Sequence, residues 1–505
     1  MKNKNPKILF IEPYCIGNNN FSMPGIAYLR GFLKDKDIQS DVIDFNKILK
    51  NNKKTIDLNC INYLNKYINK NKSFLNNKKK DDFKIINDFF NLEQNIIFEA
   101  IDKNNIFQKL FQKQLSQLSK YRYIGLSATL DIHLLFTLIL AKFIKKNINN
   151  IKIILGGPLV TSFYKDIVSL QKNNPTIDYL VIGEGETPVW KIINQSQLDE
   201  VPNLIYLENG SYKKSQNMNH AEDIMKLPAP IFNDDDTIIY LQATRKCYWG
   251  KCAYCTFDKN KFVKNLLVKN PKKIIEYIST INFIKNKAKY FIFTDNALPI
   301  NFLQNFSQEI IKNKLNYNFE AYLRAEKTLN YEILHLAKKA GFNRFKLGIE
   351  TFNPRLSKLL NRGTDTEKIP EIIKICSDLR IDINLYFMIG LPTQTKKELK
   401  KDFDCMLSVT KKYSSIIKKM QILLFRLEID SIIYNNPAQY EIKVLYDQKK
   451  HFDRIIPFKQ LRKNAISSEE ALEMHKKFYK KNEYILKNIY GSKPFFWKDN
   501  FVIKT

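Results

Sequence analysis

Thiols are scarce in this chain, with seven cysteines among 505 residues. So few, so unevenly spread, exclude a disulfide framework. They fit a reducing compartment in which a group of cysteines serves metal or redox chemistry. Long apolar runs are missing too. The longest, "HLLFTLILAKFI" at 133–144, is well short of the ~20 residues a membrane span requires. The first residues, "MKNKNPKILFIEPYCIG", are basic, but Glu12 and Pro13 break their apolar run before it reaches the length of a secretory core. A cytoplasmic protein without a membrane span is the expectation.

Acidic residues are outnumbered, 51 against 82 Lys and Arg, for a net charge of +31. Such an excess can steer a chain toward nucleic acid or anionic lipid. Here lysine is spread along the whole length together with Asn and Ile, and stretches such as "NKYINKNKSFLNNKKKDD" read as solvated helix faces and loops. The charge does not by itself make this a nucleic-acid protein. Apolar residues are plentiful: 44% hydrophobic and 13% aromatic content is ample for burial, and the length calls for two or three domains rather than one core.

The first ~190 residues alternate strand and helix. The runs "KILFIE" (7–12), "SDVIDF", "YIGLSA" (123–128), "KIILGG" (152–157) and "DYLVIGEGE" (178–186) read as buried strands separated by helical stretches, which predicts a parallel, doubly wound sheet. A polar helical insertion interrupts it over 50–120. A hairpin, "LIYLENGSYKK", turns at Asn209-Gly210, and an extended linker with Pro228 and Pro230 ends at 236. The alternation then restarts with "TIIYLQA" (237–243), "YFIFT" (290–294), "FEAYL" (319–323), "FKLGI" (345–349), "INLYFM" (383–388) and "QILLF" (421–425). Six strand–helix units are too few for a full eight-fold barrel, so a partial, open barrel is expected. The predicted divisions are 1–200, a hairpin and linker at 201–236, the barrel at 237–440 and a helical C-terminal cap at 441–505.

Three of the seven cysteines fall within "TRKCYWGKCAYCTF" (244–257): Cys247, Cys252 and Cys255. The C-x₂-C pair presents two thiolates to one centre from a single turn, and Gly250 permits a tight loop back to Cys247. Structural zinc takes four protein ligands. The nearest histidines, His220 and His335, do not have the spacing of a fourth. Iron–sulfur clusters normally take four cysteines, so three would leave one iron open to a substrate or cofactor. At the end of the first strand of a βα barrel, such a cluster would sit on the catalytic rim. The isolated Cys15, Cys60, Cys376 and Cys405 read as buried packing.

The second half resembles a radical S-adenosylmethionine (SAM) enzyme over about residues 237–440. The resemblance implies a partial (β/α)₆ barrel whose three cysteines hold a [4Fe–4S] cluster, with the open iron chelated by SAM. The usual spacing is C-x₃-C-x₂-C, and this chain has one residue more in the first gap. "FTDNALP" (293–299), "YLRAE" (322–326), "LGIETFNPRLSKLLNRG" (347–363) and "FMIGLPTQT" (387–395) resemble the family's later strand ends. By that resemblance Asp295, Arg324, Glu350, Gly390 and Pro392 contact SAM: Arg324 its carboxylate, Glu350 its amino or ribose groups, and the Gly-Leu-Pro turn its adenine. Singly, Arg324 and Glu350 read equally well as an ion pair inside the barrel. Tyr248 and Trp249 would shield the cluster or simply pack.

"PGIAYLRGFL", "IGLSAT", "ILGGPLVTS" and "VIGEGE" resemble the cobalamin-binding domain fused before many radical SAM enzymes. Ser127, Thr129, Gly156, Gly157, Gly183, Glu184 and Gly185 then line the carboxyl ends of the strands, where cofactors of open α/β sheets bind. Strand-end glycines also occur in any doubly wound fold. The D-x-H-x-x-G motif of many cobalamin carriers is missing from the loop "EPYCIGNNNFSMPG", and His133, in "DIHLLF", reads as a satisfied core histidine. "FRLEIDSIIYNNPAQYEI" (425–442) resembles the stretch after the sixth strand of these enzymes.

The resemblance implies reductive cleavage of SAM and C-methylation through cobalamin, with a small-molecule or peptide substrate and an electron donor such as flavodoxin or ferredoxin. Three rivals stand beside it: cobalamin radical chemistry without methyl transfer, RNA modification, and a non-catalytic corrinoid and cluster sensor.

Overall fold

The computed structural model describes residues 8–13, 23–48, 105–129, 131–172, 174–234, 236–256, 266–285, 289–445 and 455–486. Most of the insertion expected at 50–120, the loop after the first strand, the end of the C-terminal cap, Cys15 and Cys60 lie outside them. The described residues fall into two compact units, one up to Asp236 and one from Thr237 onward.

In the first unit, five short strands, β1 (Ile8–Glu12), β2 (Ser40–Asp44), β3 (Tyr123–Ser127), β4 (Lys152–Gly156) and β5 (Tyr179–Val181), pair in parallel in the order β2-β1-β3-β4-β5. Helices cover the sheet, so its strands read as unbroken apolar runs; all five residues of β1 are buried. Helix α1 (Pro24–Asp35) opens with Pro24, whose missing N–H is no loss in a first turn. The hairpin β6 (Leu204–Glu208) and β7 (Ser211–Lys214) adds two antiparallel strands beyond β5. Its turn residues Asn209 and Gly210 have φ of 50° and 76°, as a primed two-residue turn demands. The order reverses between β1 and β3, which makes a crevice at their carboxyl ends.

The second unit carries six parallel strands in sequence order: β8 (Ile238–Leu241), β11 (Tyr290–Phe293), β12 (Asn318–Arg324), β13 (Phe342–Glu350), β14 (Asp382–Ile389) and β15 (Ile417–Leu424). The sheet stays open at β8 and β15, as the sequence predicts. Between β8 and β11 a ribbon, β9 (Thr244–Arg245) with β10 (Leu267–Val268), frames the base of the cysteine loop.

Alternation along the strands sorts the side chains into two faces. One face is apolar: Phe293, Phe319 and Phe342 pack with Phe306 at ring-centroid distances of 5.1–6.4 Å. The other is polar. Lys346 lies 4.7 Å over the Tyr322 ring and pairs with Glu320, and Tyr322 faces Tyr386. Burial of Cys376 agrees with the sequence reading, but Cys405 is exposed, because it falls on the solvent side of the helix Lys396–Tyr413.

Candidate functional site

The cysteine loop is held from both ends. At its base Asp295 accepts hydrogen bonds from the Ala243 amide (3.0 Å) and from the Thr244 amide and hydroxyl (2.6 Å each). Burial pushes the Asp295 carboxyl up, and these three bonds oppose the shift. Both of its oxygens therefore serve the loop's own backbone, whereas the sequence reading aims this residue at SAM. In the middle, the Ala253 amide donates to the Leu360 carbonyl (2.8 Å) while its carbonyl accepts from Ile433 (3.0 Å). Cys247, Cys252 and Cys255, half-buried and none of them in a disulfide, hang from this anchored frame. Lys246 and Gly250 take φ of 82° and 61°, the sharp turns that separate the first thiol from the other two. Among the described residues no three ligating side chains gather around one point, as they would around a single zinc ion.

A short helix does much of the anchoring. Helix Pro354–Leu359 starts at Asn353, whose side chain accepts from the Leu356 amide (3.2 Å). Its far end leaves carbonyls without intrahelical donors. Leu360 takes the Ala253 amide, Asn361 takes the Trp249 indole N–H (2.8 Å), and Arg362 takes an N–H of Arg324. Gly363 follows at φ 62°, and a Cβ there would stand 2.1 Å from the Trp249 ring. Only glycine fits.

Two arginines lie against this end. Arg362 reaches the sulfur of Cys252 at 3.5 Å, the Gly348 carbonyl at 2.6 Å and Glu350 at 3.5 Å. Burial works against its charge, and Tyr254, Glu350 and Cys252 more than offset that, so its pKa is raised. Arg324 lies under the Trp249 ring at 4.1 Å and within 5.6 Å of Tyr248, whose hydroxyl donates to Glu326. Its pKa is lowered by burial and by the neighbouring Arg362. Both guanidiniums are buried, yet Nε and one terminal nitrogen of Arg324 and Nε of Arg362 have no hydrogen-bond partner among the described residues. Buried donors are normally satisfied, so this site is short of acceptors.

Glu350 is set by backbone geometry. The pairing of β13 with β14 slips between Gly348 and Glu350, and Glu350 takes φ 64°, a conformation that costs on the order of 1–3 kcal/mol. Asp402 supports it by accepting from the Thr351 hydroxyl (2.7 Å) and the Phe352 amide (2.9 Å). Burial raises the Glu350 carboxyl, against the pull of Arg362 and a hydrogen bond from Tyr254. Gly348 gives these two side chains room: a Cβ there would stand 2.9 Å from the Arg362 guanidinium and 3.1 Å from the Glu350 carboxyl, so both would have to shift. So Glu350 and Arg324, read from the sequence as a possible pair, each associate with Arg362 instead. The sequence reading passed over Arg362, Tyr254, Gly348 and Gly363; an Arg-Gly just after a helix C-terminus was the available signal.

The Gly390-Pro392 turn is buried, and Gly390 (φ 70°) faces Leu424, Ser468 and Ala471. What approaches its open side is the C-terminal helix Ser468–Lys481.

In the first unit, Ser127, Thr129, Gly156, Gly157 and Gly183 form a half-buried row along the carboxyl edge of β3, β4 and β5. Gly157 (φ 110°) leaves no room for a Cβ, which would stand 2.6 Å from the Ala128 carbonyl, whereas a Cβ at Gly156 would make only ordinary contacts, 3.6 Å from the Val181 carbonyl. The Gly183 amide donates to Thr161 (2.8 Å). Glu184 turns away to accept from the Glu222 amide, and Gly185 begins the helix Glu186–Ile193. His133 is buried as expected but not satisfied: neither ring nitrogen has a partner among the described residues, and burial lowers its pKa to about 4. Glu12, at the carboxyl end of β1, keeps one oxygen on the Met23 amide (3.3 Å) and the other bare, and burial with the charge of Asp44 raises it to about 8.

An open six-stranded parallel sheet with three thiols after its first strand is a pattern that a comparison with known families can decide. The sequence profile of the radical SAM superfamily matches residues 241–406, which contain all three cysteines, Arg324, Glu350 and Arg362. Residues 241–406 belong to the radical SAM superfamily. A protein of Pyrococcus horikoshii named an uncharacterized methyltransferase is 24% identical over 272 residues, 51% of this chain and 58% of its own length. The anaerobic magnesium-protoporphyrin IX monomethyl ester cyclase of Synechocystis is 26% identical over 259 residues, 47% of this chain and 49% of its own length. This chain thus spans about half the length of these curated relatives. Among solved structures, the radical SAM methyltransferase TsrM from Kitasatospora setae superposes with a TM-score of 0.61 at 12% identity, over 88% of this chain and 81% of that one. The cobalamin-dependent radical SAM enzyme OxsB gives 0.53 at 14% identity, over 95% and 62%. At such identities the likeness shows the fold: a doubly wound parallel sheet followed by an open βα barrel. No helix among the described residues is long and apolar enough to cross a membrane.

Proposed function

We propose that this chain is a cobalamin-dependent radical SAM enzyme that transfers a methyl group to an unactivated carbon of a peptide, lipid or natural-product substrate. The observation that carries the reading is three half-buried thiols beside two buried guanidiniums that keep bare N–H donors. Cys247, Cys252 and Cys255 suit a [4Fe–4S] cluster with one iron free of protein ligands. The bare donors of Arg324 and Arg362 suit a carboxylate, which SAM carries, and Glu350 suits its amino group. When bound, the reduced cluster supplies the electron that cleaves SAM into methionine and a 5′-deoxyadenosyl radical.

The chain's own residues do the positioning. Arg362 links the Cys252 sulfur to Glu350, so the cluster ligand and the residue facing the SAM amino group move as one. Trp249 covers Arg324 and keeps water from it. In the first unit, the bare polar atoms of His133 and Glu12 and the half-buried row from Ser127 to Gly183 support a large polar cofactor along the carboxyl edge. Two structures that share the fold carry cobalamin, one of them together with a [4Fe–4S] cluster. A methyl-carrying corrinoid is what C-methylation adds to radical SAM chemistry.

A second reading, radical chemistry without methyl transfer, is favoured by the cyclase relative. One experiment separates the two. Protein reconstituted without oxygen with iron, sulfide and cobalamin is given SAM and a reductant, and the nucleoside products are measured. 5′-Deoxyadenosine together with S-adenosylhomocysteine, both lost in Cys252→Ala, is the expected result. 5′-Deoxyadenosine alone supports the second reading, and neither product overturns both.

A further inference from the structure

We propose that Trp249 is a positioning residue for SAM: its indole holds the Arg324 guanidinium where a bare nitrogen of that group can donate to a carboxylate oxygen. This rests on the SAM reading above. Trp249 is fixed independently of Arg324. Its ring N–H is tied to the Asn361 carbonyl at 2.8 Å, and its six-membered ring lies against Gly363, where any side chain would collide with it. The guanidinium carbon of Arg324 stands 4.1 Å from the ring centroid, a cation–π distance.

Arg324 has few other restraints, the Tyr248 ring at 5.6 Å among them. One terminal nitrogen donates to the Arg362 carbonyl; Nε and the other terminal nitrogen donate to nothing among the described residues. The neighbouring Glu326 accepts from the Tyr248 hydroxyl. The indole at 4.1 Å, more closely than the Tyr248 ring, limits how the guanidinium can turn about that one hydrogen bond. The arrangement therefore holds buried, unpaired N–H donors beside the indole before any ligand arrives, which suits charge-assisted hydrogen bonds to a carboxylate.

The test compares Trp249→Leu, Trp249→Phe, Arg324→Met and the Trp249→Leu/Arg324→Met double variant in the reconstituted full chain. Iron content, the electron paramagnetic resonance spectrum of the reduced cluster with and without SAM, and the SAM dependence of 5′-deoxyadenosine formation are read for each. Trp249→Leu is expected to raise KM for SAM by about tenfold, with iron content and the SAM-free spectrum unchanged. Trp249→Phe, which keeps a stacking ring, should recover most of that loss. The double variant should be no worse than Arg324→Met, since the indole acts through the arginine. An unchanged KM in Trp249→Leu, a fall in iron content that parallels the loss, or additive effects in the double variant overturns the proposal. If the wild-type cluster spectrum does not respond to SAM and no 5′-deoxyadenosine forms, it is the SAM reading itself that fails.

Discussion

Arg362 donates to the sulfur of Cys252 at 3.5 Å with one terminal nitrogen and to the Gly348 carbonyl at 2.6 Å with the other. A cation buried between a thiol and the strand that carries Glu350 ties together parts of the chain nearly a hundred residues apart. It cannot be removed cheaply, because Glu350 would be left as an uncompensated buried carboxyl.

Arg362→Gln is accordingly expected to lower stability by ~3 kcal/mol, the size of breaking a buried pair. Adding Glu350→Gln should restore most of that in a urea titration. Neither variant should cleave SAM at a useful rate, which 5′-deoxyadenosine release checks. Full stability loss persisting in the double variant would show that the pair is not the cause.

Asp295→Asn should loosen the base of the cysteine loop. The carboxylate accepts three hydrogen bonds from Ala243 and Thr244, and an amide can present only one oxygen. The expected cost is ~1–3 kcal/mol, seen as faster hydrogen exchange at Thr244 and lower iron occupancy after reconstitution. A direct SAM contact would instead lower SAM affinity at full occupancy.

The adjacent glycines at the end of β4 should respond differently. Gly157→Ala forces a Cβ to 2.6 Å from the Ala128 carbonyl at φ 110° and should cost ~2 kcal/mol or more. Gly156→Ala meets nothing closer than 3.6 Å, so its stability should stay within ~0.5 kcal/mol of wild type. Weaker cobalamin binding by Gly156→Ala, at unchanged melting temperature, is the expected sign that the cofactor lies against it.

Two buried groups of the first unit titrate with opposite sign. Glu12 has its pKa raised from 4.5 to about 8 by burial and by Asp44. The unfolded chain holds fewer protons between those values, so the contribution is present at low pH and is lost as pH rises through 8. His133 is lowered from 6.5 to about 4 by burial. Its contribution is present above 6.5 and is lost as pH falls through 4. Each slope is on the order of a few kcal/mol. Thermal unfolding across this range should show Glu12→Gln flattening the decline from pH 4.5 to about 8, and His133→Phe the loss from pH 6.5 down to about 4.

Much of the fold was legible in the sequence because periodicity and burial report on it directly. "KILFIE" and "YFIFT" are strands because covered parallel sheets need unbroken apolar runs, and Asn209-Gly210 marks a turn that few other pairs can make. The three cysteines stood out by spacing alone. What stayed hidden are relationships across distance. That Asp295 serves backbone depends on where β11 ends relative to β8, and nothing local in "FTDNALP" says so. That Arg362 stands between Cys252 and Glu350 depends on a helix too short to leave a periodic signal. His133 looked like ordinary core, since an apolar helix face does not reveal that both ring nitrogens are bare.

The hairpin that closes the first sheet has a consequence outside the molecule. An unpaired strand edge is a template on which another chain can add, and among the described residues β7 is such an edge, with its own residues largely exposed. It ends in Lys213 and Lys214, the latter laid 5.2 Å over the Tyr164 ring. A second copy approaching along that edge would set lysine against lysine and lose solvation on both. In a chain whose buried strands are as apolar as β1 and β4, those two side chains discourage edge-to-edge aggregation.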